Sequence, residues 1–155
     1  MTALPVLTRE RRYLQPGQLL VSAQPAAITT ILGSCVAVCL WEPMRGIGGM
    51  NHFMLPMGSG PAAQSARFGP AAMEQLVEQM RAAGARLPLV RARVFGGACM
   101  FELPAAAQLG RKNADLALDF LQRRGIEVVQ SDVGGARGRK VIFNTDEGTT
   151  CLTLI

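Results

Sequence analysis

Two segments of the chain place apolar side chains at the spacing of an α-helix. The first follows Pro70, a residue suited to a first helical turn. Its apolar residues fall at positions i, i+3, i+4 and i+7, which are occupied by Met73, Leu76, Val77 and Met80. The second runs from about Leu109 to Arg124 and stops at Gly125, a typical residue after a helix C-terminus. The pattern therefore predicts two main amphipathic helices.

Most other apolar residues fall into short runs typical of strands. Residues 90–94 alternate between aliphatic and arginine side chains, which predicts a strand with one solvated face. Further strands are predicted at residues 126–129, 141–143 and 151–155. Residues 132–139 contain three glycines and are most simply a connection between two strands, because they lack the Gly-Lys-Ser/Thr ending of a phosphate-binding loop. These elements agree with an α+β fold.

The segment from residue 32 to residue 56 predicts an antiparallel hairpin. Its two continuous apolar runs, separated by four residues that form a turn, are 35–41 and 46–55. If Trp41 lies opposite Gly46, Cys35 lies opposite His52. Directly opposed side chains share a face and have Cβ atoms about 4.5–5.5 Å apart. The register therefore predicts that the sulfur of Cys35 lies near the only imidazole in the chain.

Composition restricts the class of protein. The chain has 155 residues, of which 49% are hydrophobic and 17% charged, so a single globular domain with one core is expected. No stretch approaches the about eighteen apolar residues needed to span a bilayer, and the N-terminus lacks the apolar segment of a secretory signal. We therefore expect a cytoplasmic protein whose cysteines are thiols. One histidine and no Cys-x-x-Cys pair argue against a metal site, and we expect no cofactor.

The net charge of +5 permits more than one kind of partner. A basic surface suits nucleic acid or an acidic protein. No helix-turn-helix signature and few aromatic residues are present, so nucleic acid is not favoured. A solvated basic surface without a dedicated partner explains the charge equally well.

A thiol beside an imidazole can act as a nucleophile. The imidazole of His52 would take the proton of Cys35, and the thiolate would attack an amide carbonyl. A third group is needed to orient the imidazole. Candidates close to the same strand edge are Thr29, Thr30 and Ser34. We expect the backbone N–H groups around Gly33 and Ser34 to stabilise the oxyanion.

The same residues also have a purely structural explanation. A cysteine in an apolar run is usually a small core residue, and a lone histidine usually makes a structural hydrogen bond. The other cysteines, for which we expect core packing, are Cys39, Cys99 and Cys151. A redox pair of Cys35 and Cys39 is disfavoured, because four residues along a strand span about 13 Å, too far for a disulfide.

Five blocks of sequence, in order, resemble the CheD family of chemoreceptor glutamine deamidases. The first two are Leu-Gly-Ser-Cys-Val-Ala-Val-Cys-Leu at 32–40 and Gly-Gly-Met-Asn-His-Phe-Met-Leu-Pro at 48–56. The others are Phe-Gly-Gly-Ala-Cys-Met-Phe at 95–101, Leu-Gly-Arg-Lys-Asn at 109–113, and the glycine-rich basic loop at 132–140. Each block is weak alone, but their order over about residues 17 to 146 makes the resemblance specific.

The resemblance implies a site and a fold. Cys35 would be the nucleophile, His52 the base and Thr29 the orienting residue, although Thr30 stands beside Thr29. The fold would be a layered α+β sandwich of mixed sheets with helices outside, related to the catalytic domain of cytotoxic necrotizing factor. Family members convert glutamines of methyl-accepting chemotaxis receptors to glutamates.

The resemblance also bears on partners and domain limits. A methyl-accepting receptor would be the substrate, and a CheC-type phosphatase is a candidate partner. We expect residues 1–16 to form an N-terminal arm of some flexibility and residues 17–155 to form the deamidase domain, as a monomer without membrane insertion. Cys99 stands where the family often has a small hydroxyl residue, so a second thiol near the site is expected. A binding module that acts on a receptor or phosphatase by contact is the alternative function.

Overall fold

The computed structural model describes residues 8–99 and 104–155, and of residues 104–107 it describes the backbone alone. Its strands are β1 (Glu10–Tyr13), β2 (Leu19–Ser22), β3 (Ala26–Leu32), β4 (Val36–Glu42), β5 (Ile47–Asn51), β6 (Arg91–Gly96), β7 (Glu127–Val133), β8 (Arg139–Asn144) and β9 (Thr150–Leu154). Its helices are α1 (Gly69–Ala82) and α2 (Pro104–Arg123), with short 3-10 helices at Gly60–Gln64 and Leu87–Leu89.

The described strands form two mixed sheets. The small sheet has the order β1-β3-β8-β9, with β1 and β3 parallel and the other pairs antiparallel. The large sheet has the order β2-β5-β4-β6-β7, with only β6 and β7 parallel. Both helices pack on the large sheet, α1 on β2 and β5, and α2 on β4, β6 and β7. The predicted α+β layered sandwich with two main helices outside is therefore confirmed.

Two layers of apolar side chains hold the sandwich together. The layer between the sheets includes Ile28, Leu32, Met50, Phe95 and Phe143. The layer between the large sheet and the helices includes Val38, Leu40, Phe53, Leu76 and Leu121. Strand β4 supplies both layers, because alternate side chains point to opposite faces and all 7 of its residues are buried.

Both helices follow the predicted apolar pattern. The stripe predicted for α1, from Met73 to Met80, is buried against the large sheet. Helix α2 begins at Pro104, earlier than predicted, and ends at Arg123. Gly125 has φ of 68°, a left-handed conformation that suits glycine after a helix. Neither helix of the described chain has the length and apolar content that crossing a bilayer requires.

The predicted hairpin forms, but its register is shifted by two residues. Trp41 pairs with Gly48, not with the glycine two positions earlier. The reason is that β4 continues to Glu42, whose carboxylate closes the turn. Its Oε1 accepts hydrogen bonds from the backbone N–H of Met44 at 2.6 Å and of Arg45 at 3.3 Å.

The predicted N-terminal arm divides into two parts. Residues 8–16 belong to the sandwich, since β1 pairs with β3 and Leu14 is buried in the layer between the sheets. Arg9 forms an ion pair with Asp146 at 2.8 Å. Residues 1–7 lie outside the described residues.

The face of β6 that was predicted to be solvated is only partly so. Arg91 is exposed, but Arg93 lies with its guanidinium 5.0 Å from the ring centroid of Trp41. Arg93 also donates hydrogen bonds to the carbonyl of Gly148 at 2.9 Å and to Gln130 Oε1 at 2.6 Å. The small sheet covers this face, which a single strand pattern does not reveal.

Gly48 lies where β5 closely approaches the turn after β8. A Cβ at Gly48 would lie 2.5 Å from the backbone oxygen of Thr145 and 2.7 Å from its Cα. We expect Gly48→Ala to lower the free energy of unfolding by about 1–3 kcal/mol, because backbone would have to move. Urea denaturation measures this. The exposed Thr153→Ala is the control, and stability of Gly48→Ala equal to that control would contradict the close approach.

Candidate active site

His52 lies directly after β5, between the two sheets, and its side chain is almost fully buried. Its backbone is held on both sides: its N–H donates to the carbonyl of Gln18 at 3.1 Å, and its carbonyl accepts from Gly17 N–H at 2.8 Å. Its ring nitrogen Nδ1 lies 2.7 Å from Oγ1 of Thr30, which comes from β3 of the small sheet. The imidazole is therefore fixed by contacts from both sides of the sandwich.

The hydrogen bonds of Thr30 determine the tautomer of His52. The Thr30 hydroxyl donates its one hydrogen to the carbonyl of Leu14 at 2.8 Å. Its oxygen must then accept from Nδ1–H of His52. Nε2 consequently carries a lone pair, and this buried atom has no hydrogen-bond partner within residues 8–99 and 104–155. Nε2 is thus available as a base.

The structure places Thr30, not Thr29, against the imidazole. Successive side chains of a strand point to opposite faces, so a step of one residue changes the side of the sheet. Thr30 points into the sandwich and is fully buried. Thr29 is half-buried on the outer face of the small sheet, where it pairs with Tyr13 and Ile142. The hydroxyl that bonds to the imidazole is therefore that of Thr30 and not that of Thr29.

Cys35 lies on the same face of the large sheet as His52. It is the last residue of the loop 33–35 and packs, half-buried, at the edge of the layer between the sheets. Val36 and Phe53 exchange hydrogen bonds of 3.1 and 3.0 Å. This register makes Cys35 a diagonal neighbour of His52, with the Cα atoms of such pairs about 7–8 Å apart. A shift of two residues keeps the face, so Cys35 and His52 remain on one side of the large sheet.

The three carbonyl groups of the loop 33–35 are all hydrogen-bonded to the body of the protein. Their donors are Ala98 N–H for Gly33 at 3.0 Å, Asn113 Nδ2 for Ser34 at 3.0 Å and Gly97 N–H for Cys35 at 2.9 Å. The described peptide bonds are trans, so each N–H points away from the carbonyl of its own peptide. The N–H groups of Ser34 and Cys35 therefore point away from these anchors.

Burial favours the neutral form of both the Cys35 and the His52 side chain. Desolvation lowers the pKa of His52 to about 4. Desolvation also raises the pKa of the Cys35 thiol, an effect that its own backbone N–H partly offsets. Burial therefore favours a thiol at Cys35 and a neutral imidazole at His52 at neutral pH.

The other cysteines occupy different settings. Cys39 is fully buried between the sheets, and desolvation raises its pKa far above the usual value, which confirms a core role. Cys151 is exposed on the edge strand β9, so the prediction of core packing was wrong for it. Cys99 lines a cavity of about 240 Å³ together with Gly97, and Gly97 bonds to the carbonyl of Cys35.

In the described part of the chain, no cluster of His, Cys, Asp and Glu could hold a metal ion.

Asn113 is a site residue to which the sequence analysis assigned no role. It lies on the buried side of α2, at helical spacing from Ala117 and Leu121, and is itself fully buried. A polar residue on an otherwise apolar stripe was the signal that could have identified it.

A thiol, a neutral imidazole and an orienting hydroxyl on one face of a sandwich have the composition of a nucleophile–base site. The chain belongs to the CheD family: residues 54–153 match the family model described as CheD chemotactic sensory transduction. That match begins just after His52.

Two curated relatives extend the similarity over the site. One, from Anaeromyxobacter dehalogenans, is named probable chemoreceptor glutamine deamidase CheD 1 and is 52% identical over 141 residues, which are 90% of this chain and 82% of that one. The other, from Trichlorobacter lovleyi, is named probable chemoreceptor glutamine deamidase CheD and is 48% identical, over 90% of this chain and 88% of that one. Coverage of 90% of the chain means that both alignments include Cys35 and His52.

A solved structure, the Bacillus licheniformis hypothetical protein YfiH, is 16% identical over 73% of this chain and 49% of that chain, with a TM-score of 0.43. Its likeness is too slight to bear on the fold or the site.

The depressed pKa of His52 makes stability depend on pH. Between its ordinary pKa of 6.5 and about 4, the unfolded chain binds a proton at His52 that the folded chain does not. The free energy of unfolding should therefore be fully retained above pH 6.5 and fall as the pH drops towards 4, by roughly 3 kcal/mol in all. In a His52→Asn variant this component should be absent.

Urea denaturation at pH 7.5, 5.5 and 4.5 measures the effect as the difference between wild type and His52→Asn, because both share the titration of the carboxylates. Cys35→Ala is the matched control and should keep the wild-type dependence. Equal pH dependence in wild type and His52→Asn would show that the imidazole is not held neutral.

Proposed function

We propose that this protein hydrolyses the side-chain amide of glutamines on chemoreceptors to glutamate and ammonia, with Cys35 as the nucleophile. The family and the names of its relatives support the substrate class. The observation that carries the mechanism is the hydrogen bond between Thr30 and Nδ1 of His52, which leaves a lone pair on Nε2, on the face that Cys35 shares.

In the first step the sulfur of Cys35 attacks the carbonyl carbon of the substrate amide while Nε2 of His52 takes the thiol proton. A C–S bond forms and the electron pair of the C=O bond moves to the oxygen. The N–H groups of Ser34 and Cys35 stabilise that oxyanion, since the carbonyls of the same two peptides are held on the opposite side. We propose Ser34 and Cys35 as donors instead of the predicted pair of Gly33 and Ser34. The reason is that the anchored Gly33 carbonyl orients the N–H of Ser34, with which it shares a peptide, and not the N–H of Gly33.

In the second step Nε2–H gives its proton to the amide nitrogen. The C–N bond breaks, ammonia leaves and a thioester remains on Cys35. Water, deprotonated by the same Nε2, then attacks the thioester, the C–S bond breaks, and the thiol and a glutamate side chain are regenerated. The imidazole thus acts alternately as base and acid, in steps whose protons balance.

The half-buried position of Cys35 favours a side-chain amide over a main-chain amide. A glutamine amide stands on two methylene groups and can reach a recessed sulfur, whereas a peptide bond within a helix cannot leave its hydrogen-bonded backbone. The product carboxylate would change the charge of a receptor helix, which is the basis of a role in chemotactic adaptation. A cytoplasmic location, a monomeric state and contact with a CheC-type phosphatase stay predictions.

Mass spectrometry of a chemoreceptor cytoplasmic fragment tests the activity and the nucleophile together. We expect the glutamine-to-glutamate mass shift with the wild type and no shift with Cys35→Ala. Cys151→Ala is the matched control, since it removes an exposed thiol of the small sheet. Deamidation by Cys35→Ala would reject the mechanism. No shift with folded wild type on several receptor fragments would favour a binding module instead.

A pair of adjacent substitutions tests the orienting residue. Thr30→Val keeps the side-chain shape but removes the hydroxyl that accepts from Nδ1 of His52, so we expect the deamidation rate per folded molecule to fall by roughly 10- to 100-fold. Thr29→Val, on the outer face of the same strand, should leave the rate near that of the wild type. The reverse outcome would return the orienting role to Thr29.

A further inference from the structure

Asn113 links the loop that carries Cys35 to the chain segment that follows His52. Its side-chain Nδ2 donates hydrogen bonds to the carbonyl of Ser34 and to the carbonyl of Met54, both at 3.0 Å. Ser34 immediately precedes Cys35, and Met54 lies two residues after His52. The two hydrogens of a primary amide have fixed directions, so these bonds set the relative position of the loop and the strand end.

Within the described residues, these two are the hydrogen bonds that the Asn113 side chain makes. Its Oδ1 is buried and makes no hydrogen bond to residues in the described ranges. The rest of the side chain lies on the same apolar stripe as Ala117 and Leu121. Replacement of the amide therefore removes two donated hydrogen bonds and no acceptor contact.

The bond to Ser34 fixes the direction of one particular N–H group. The carbonyl of Ser34 and the N–H of Cys35 belong to the same trans peptide and point in opposite directions. With the carbonyl held by Asn113, the N–H of Cys35 stays on the side of its own sulfur, where it partly offsets the raised pKa of the thiol.

Helix α2 also packs closely against residues 97 and 98, one helical turn before Asn113. The approach at Gly110 is so close that a Cβ there would lie 2.6 Å from the carbonyl oxygens of both Gly97 and Ala98. The backbone N–H groups of Gly97 and Ala98 in turn hold the carbonyls on either side of Ser34. The middle peptide of the loop is thus left to Asn113 alone among these anchors.

We propose that Asn113 is a positioning residue for deamidation: by holding the Ser34 carbonyl and the Met54 carbonyl, it aims the Cys35 N–H at the oxyanion and keeps the thiol in reach of His52. This inference rests on the proposed function. It predicts a defect in the chemical step, because the groups that Asn113 holds contact the reacting carbonyl and not the rest of the receptor.

Steady-state kinetics of the full-length protein on a receptor cytoplasmic fragment test it. We expect Asn113→Leu, which keeps the bulk and removes both donors, to lower kcat per folded molecule by roughly 10- to 100-fold while KM changes little. Leu121→Ala is the control, since it loosens α2 on the same stripe without touching the loop, and should keep the wild-type kcat per folded molecule. A loss through packing alone would affect both variants alike.

Asn113→Asp supplies a readout that a purely structural role would not move. As a carboxylate it accepts and cannot donate, whereas the protonated acid recovers one donor. We therefore expect the pH profile of kcat for Asn113→Asp to shift towards lower pH relative to the wild type. This variant also keeps the test open if Asn113→Leu does not fold.

The outcomes separate the two proposals. Absence of deamidation by the wild type would reject the proposed function. Deamidation by the wild type, with kcat per folded molecule unchanged in Asn113→Leu or with the pH profile unshifted in Asn113→Asp, would overturn the positioning role alone. A kcat loss in Leu121→Ala equal to that of Asn113→Leu would overturn it as well.

Discussion

The hydrogen bond from His52 to Thr30 connects the two sheets at the candidate active site. Thr30 belongs to the small sheet, and His52 follows a strand of the large sheet. Burial of an imidazole is unfavourable unless its donor is satisfied, and the Thr30 oxygen satisfies it while its own hydrogen goes to Leu14. The proposed base therefore has this tautomer only when the two sheets are packed together, so that folding itself prepares the candidate site.

The neutral resting state follows from the same burial. An exposed cysteine with a thiolate would react with oxidants and other electrophiles, since the thiolate is the reactive form. Cys35 is kept as a thiol by desolvation, and His52 is kept as a free base by the same cause. In the proposed mechanism, the pair reacts only with an amide whose carbonyl lies at the N–H groups of Ser34 and Cys35.

Periodicity predicted most of the fold but not every position in the site. The helices and β4 were predictable because apolar residues repeat at 3.6 or run continuously in them. The hairpin register was wrong by two residues, since nothing in the pattern revealed that the Glu42 side chain closes the turn. That error kept Cys35 and His52 on one face, because the side-chain period of a strand is two.

A step of one residue has a larger effect, because it moves a side chain to the opposite face of the strand. Thr29 and Thr30 differ by a single step, and only the alternation of Ile28, Thr30 and Leu32 across β3 would have identified the inward hydroxyl. Strand β1 was missed because all 4 of its residues are exposed, so it carries no alternation of apolar and polar side chains. Strand β1 is held by backbone pairing with β3, and a side-chain pattern does not reveal such pairing.

The carbonyl of Leu14, in the N-terminal part of the chain, influences through Thr30 which nitrogen of His52 carries the proton. If this acceptor were withdrawn, the Thr30 hydroxyl could donate to Nδ1, the imidazole proton would move to Nε2, and the lone pair would be on the wrong nitrogen. Affinity tags and truncations are commonly placed at N-termini. In this protein, a tag or truncation that disturbs the segment before Leu14 would change which nitrogen of His52 carries the proton.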